Sequence, residues 1–182
     1  SLNPQWTRTL QLSVEMKNDI VIVANPQQEV YTFKSDVIQD VAAGHIRCDL
    51  YLDDGNPNRG VSHIFAATQK ARDFLLTEVN AQRSQPIDII WPQDSVRSYY
   101  YTSQFLGRVT GEIIYIAAGA DQWRKNVMYH EYGHAVMTAM YDYNFYAIPH
   151  GMDREEHRVE TVSDAEFALS EGWAEFMEAA VD

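Results

Sequence analysis

Apolar positions along the chain follow two periods. Helical spacing is clear from Val61 to Asn80, where Ile64, Ala67, Ala71, Phe74, Leu75 and Val79 share a face. It returns over residues 163–181 with Phe167, Ala168, Ala174, Phe176, Met177 and Val181, and Ser163 and Glu166 have capping-box spacing there. A third helical pattern runs to about Tyr141, with Asp121 expected as its N-cap. Strand patterns fill much of the remainder. Leu10 to Met16 alternates apolar and polar. Ile20–Val23, Val30–Phe33 and Ile46–Leu52 are β-rich runs, Pro86–Pro92 is a short strand bounded by prolines, and Glu112–Ala117 is closed by Ala118-Gly119. Tyr99, Tyr100 and Tyr101 read as a strand or hairpin exposing alternate rings, and Asp53 to Asn58 as a loop. The pattern predicts an α+β chain: a β-rich lead-in over residues 1–55, either the first strands of the following domain or the tail of an upstream one, then a mixed unit over 56–182.

Chemistry concentrates in two of the helical segments. His130-Glu131-Tyr132-Gly133-His134 is an H-E-x-x-H motif. Residues at i and i+4 lie on one helical face, so His130 and His134 can offer ring nitrogens to one metal ion. Glu131, one residue round, can miss the metal and still reach a water beside it. Catalytic zinc takes three protein ligands, so one is lacking. A metzincin-type third histidine is excluded, because Met137 and Met140 occupy the Gly and last His positions of that pattern. Glu171 and Glu175 are again i and i+4 on the later helix. One can bind the metal, and the other can accept a hydrogen bond from a ligand histidine. Gly133 and Gly172 are each costly inside a helix, by about 1 kcal/mol relative to Ala, which suggests close helix approach at both.

With its Glu171-Gly172-Trp173-Ala174-Glu175-Phe176 segment, the chain resembles gluzincin zinc metallopeptidases of the thermolysin-like and, more closely, fungalysin-like kind. The resemblance implies zinc on His130, His134 and Glu171, Glu131 as general base, and Glu175 as the partner of His130's second nitrogen. It implies a zincin-type N-terminal catalytic subdomain, in which a mixed twisted sheet packs on a long helix and the motif helix. It also implies that the strand before the motif helix is a sheet edge where extended substrate adds, so that Tyr115, Ala117 and Ala118 line the cleft. The chain stops soon after Glu175. The helical lower subdomain of the larger families is therefore expected to be missing from residues 56–182.

Composition narrows the partners. Net charge is −12, against nucleic acid and against an anionic membrane surface. No apolar run is long enough to insert in a membrane, and Cys48 alone can form neither an internal disulfide nor a thiolate zinc site. Tyr141, Tyr143, Tyr146, His150 and His157 are candidates for stabilising an oxyanion. His45, His63, His150 and His157 lack ligand spacing, and the acidic run from Asp153 to Glu160 and Glu178 read as solvated charges. The expectation is a zinc-dependent endopeptidase acting on a peptide or protein substrate, secreted or in the cell envelope by resemblance. Its rivals are a non-catalytic binding or adhesion module that keeps the fold, and a metal hydrolase acting on another bond.

Overall fold

The computed structural model describes residues 8–41, 47–149 and 164–181. The readings of His45, His150, His157, Ser163 and the acidic run from Asp153 to Glu160 fall outside them.

Short strands open the chain: β1 (Arg8–Leu10), β2 (Ser13–Glu15), β3 (Val21–Ala24), β4 (Thr32–Lys34) and β5 (Ile38–Val41). β1 pairs with β5 and β2 with β4, both antiparallel. The alternating run from Leu10 is thus broken at residues 11 and 12. Leu10 and Leu12 are both exposed, so no buried face holds one continuous register. Residues 47–52, expected as a strand, form none.

The second part builds the layered core. α1 (Arg59–Phe74) ends in a wide turn, Leu75–Val79, closed by Asn80 at φ 54°. β6 (Ile87–Gln93), β7 (Tyr99–Phe105) and β8 (Arg108–Ala117) follow, then α2 (Lys125–Met140) and α3 (Ala165–Ala180). The main sheet has the order β3-β6-β8-β7. β3, β6 and β8 are parallel, and β7 folds back antiparallel on β8. Its hairpin turn needs two left-handed residues, supplied by Leu106 (φ 50°) and Gly107 (φ 77°). β3 crosses the expected boundary at residue 55, because its partner is β6.

One sheet face is apolar. Val21, Val23, Ile87, Ile89, Trp91, Ile114 and Ile116 meet Val61, Ile64 and Ala71 of α1 and Met128, Tyr129, Tyr132, Ala135 and Val136 of α2 in one cluster. Each large aliphatic side chain buried there contributes about 1.5–3 kcal/mol. α3 lies across α2 rather than on the sheet. Gly133 makes room for it: a Cβ there would sit 3.0 Å from Met177 Cγ and 3.5 Å from Ala174 Cα. Gly172, given the same expectation, is exposed with nothing within 4 Å of such a Cβ, so it marks no close approach.

The helix starts also differ from expectation. Asp121 belongs to a short 3-10 turn ahead of α2, where its carboxylate accepts from Ser98 Oγ at 2.8 Å. α3 is capped by Asp164, whose Oδ1 accepts from the Phe167 N–H at 2.8 Å.

Candidate metal centre and its cleft

The middle of α2 and the first half of α3 bring three donors together. His130 and His134 sit one turn apart with their rings edge to face, 79° between planes, and their Nε2 atoms 3.2 Å from each other. Glu171 closes the triangle from α3, with Oε2 3.4 Å from His130 Nε2 and Oε1 3.5 Å from His134 Nε2. These three residues form a group able to hold a metal ion. Zinc bonds of about 2.0–2.2 Å in tetrahedral array separate their donor atoms by roughly 3.3–3.5 Å, so the donor set fits that ion in spacing and chemistry.

The remaining ring nitrogens are also engaged. His130 Nδ1 lies 2.9 Å from Glu178 Oε1, and the Asn126 amide donates to the other oxygen of Glu178 at 3.1 Å. His134 Nδ1 lies 3.3 Å from Ser170 Oγ. Trp173 Nε1 donates to the Gly133 carbonyl at 2.9 Å and pins α3 to α2 beside the cluster. Burial works against charge on His130, but hydrogen bonds to Glu171 and Glu178 outweigh it and carry the metal-free imidazole up to about 10.

Glu131 is buried next to the donors, with 7% of its surface exposed. Burial raises its carboxyl to about 7; the positive His130 opposes, Glu171 adds, and a backbone hydrogen bond with Tyr100 opposes. The four side chains line a cleft of about 490 Å³ whose other wall is Arg97, Ser98, Tyr99, Tyr100 and Tyr101. That wall is β7 and its approach. Among the described residues β7 pairs only with β8, so no strand covers its outer edge beside the cluster, where the Tyr100 backbone meets Glu131.

The sequence profile of the mycolysin C-terminal domain family matches residues 70–182, well over half of the chain. The chain belongs to the mycolysin C-terminal domain family. Mycolysins are thermolysin-like zinc peptidases, which gives this region a peptidase context. The mycolysin match begins within α1 and takes in β6 to β8, α2 and α3, hence every residue of the cluster. No curated protein and no solved structure matches significantly.

Two expectations for this mycolysin-type region are corrected by the geometry. Glu175 is exposed, and Glu178 takes the place against His130 that had been expected of it. Both follow Glu171 on the helix, but seven residues complete two turns while α3 crosses α2 in the direction that brings the second turn over His130. The i, i+7 spacing from Glu171 was the available signal. Tyr115, Ala117 and Ala118 do not line the cleft, because β8 is an interior strand. The Ala117 N–H is taken by Ser98 Oγ and the Ala118 N–H by the Gln93 carbonyl, while the Tyr115 ring packs on Tyr99, 4.9 Å between centroids. The edge is one strand further out. The tyrosine triplet of β7 carries it.

Proposed function

We propose that this chain carries the zinc-binding half of a peptidase centre, with His130, His134 and Glu171 as ligands and Glu131 as general base. The observation that carries the reading is the trio of donor spacings between 3.2 and 3.5 Å with a buried carboxyl group beside it. Family membership supports a peptide bond over other hydrolysable bonds. Zinc held there supplies a Lewis acid that polarises a carbonyl and makes a water more acidic.

The protein's own groups supply the rest. Glu178 and Ser170 hold the outer nitrogens of the two histidines, which leaves both Nε2 lone pairs turned to the shared centre. Glu131 accepts a proton at its carboxylate from the attacking water and returns it to the leaving amine nitrogen. A carboxyl poised near neutrality by burial can do both. An extended peptide adds to the open edge of β7, with main-chain hydrogen bonds giving affinity and Tyr99 and Tyr101 flanking it. Residues 56–182, with β3 added from the lead-in, are the unit we assign to this role; the family match is to a C-terminal domain, where an N-terminal zincin-type catalytic subdomain had been expected. Mycolysin-type peptidases are secreted, and no described helix is long and apolar enough to cross a membrane; secretion is the placement we propose.

The test is hydrolysis of a protein substrate panel by the zinc-loaded chain and by Glu131→Gln. Wild-type cleavage that falls by at least about 100-fold in the variant, with zinc retained, is the expected result. Equal cleavage by both would remove Glu131 from the reaction. Zinc retention and peptide binding without turnover by the wild type would favour the binding module.

A further inference from the structure

Tyr100 lies where β7, β8 and α2 meet, and it touches both halves of the cluster. Its ring stacks on the His134 ring, 6.2 Å between centroids and 16° from parallel. Its backbone hydrogen-bonds Glu131. Its hydroxyl donates to the Glu112 carboxylate on β8. The phenol has one proton, so Thr138 of α2, 2.9 Å away, is the donor in the second contact. Arg83 grips Glu112 with both terminal nitrogens at 2.9 and 2.8 Å, and one of them also donates to the Ala135 carbonyl at 2.5 Å. The Arg83 and Glu112 side chains are only 3% and 10% exposed. Ala135 follows His134 directly, so the chain of contacts starts and ends on the same turn of α2.

A buried ion pair is weak grounds for stability, since desolvation costs offset its attraction. Its product here is geometric. We infer that Arg83, Glu112 and Tyr100 form a brace that fixes the edge strand against α2 and sets the plane of the His134 ring, making Tyr100 a positioning residue for the metal centre. The inference rests on the proposed zinc reading of His130, His134 and Glu171.

Tyr100→Phe keeps the ring and removes the hydroxyl that anchors it. Zinc affinity measured by chelator competition, the visible absorption of the cobalt(II)-loaded chain and the melting temperature of the metal-free chain are the readouts. Tyr31→Phe serves as control, because it removes a comparable hydrogen bond, to the Trp91 carbonyl at 2.8 Å, outside the cleft. The expected result is metal binding weakened about 10-fold with an altered cobalt spectrum in Tyr100→Phe, and neither change in Tyr31→Phe. Thr138→Val, which removes the donor to the same oxygen, shifts affinity and spectrum in the same direction and carries the test if Tyr100→Phe does not fold. Wild-type affinity and spectrum in both Tyr100→Phe and Thr138→Val, whatever their melting temperatures, overturn the brace alone. No metal uptake by the wild type overturns the brace together with the zinc reading.

Discussion

Glu131 is a carboxyl group held where its charged form is disfavoured. In the metal-free chain its pKa is about 7 against an ordinary value of 4.5. The unfolded chain therefore releases this proton at lower pH than the folded one, and stability is lost as pH rises from about 4.5 to 7. Metal-free Glu131→Gln is expected to be more stable than wild type at pH 8, by roughly 3 kcal/mol, with the gain gone below pH 4.5. Thermal melts across that range check it; a variant less stable at pH 8 would contradict it. The same scale separates two glutamates. Glu178→Ala should weaken zinc binding by about 10–100-fold, whereas Glu175→Ala should change it little; chelator competition on both reads the order. The two histidines were legible because i, i+4 spacing and an H-E-x-x-H pattern need only a helix, whereas spacing left Glu171 and Glu175 equal and only the resemblance carried by residues 171–176 favoured Glu171. Choosing between Glu175 and Glu178 needed the crossing of two helices, which no single-helix period contains.

Elements show where local signals suffice and where packing decides. The three long helices announced themselves by helical patterns, and three of the main-sheet strands, β3, β6 and β8, by short apolar runs. The order of strands did not. β8 precedes the motif helix in sequence, yet the left-handed Leu106-Gly107 turn sends β7 outside it, so the free edge belongs to the tyrosines. The two helical glycines likewise look alike in sequence and differ in space. Gly172→Ala should stabilise by about 1 kcal/mol, a rise of roughly 2–4 °C in melting temperature. Gly133→Leu must push against Met177 and the α3 backbone, and overpacking of this kind costs about 1–3 kcal/mol. Calorimetry of the pair tests the close approach; equal effects would deny it.

At the scale of the molecule, the apolar pattern foretold an α+β chain and left open whether the lead-in belongs to its core. Short runs of strand residues do not name their partners, whereas in the fold Val21 and Val23 of β3 are fully buried against β6, more than sixty residues away. A fragment spanning 56–182 should accordingly lack a cooperative melting transition that the 1–182 chain has; a matching transition would restore the boundary. The central claim is that α2 and α3 together make one zinc site. Its most direct measurement is zinc content per chain after reconstitution, wild type beside Glu171→Ala. The account predicts close to one equivalent in the wild type and far less in the variant. No zinc in the wild type, or equal zinc in both, would contradict it.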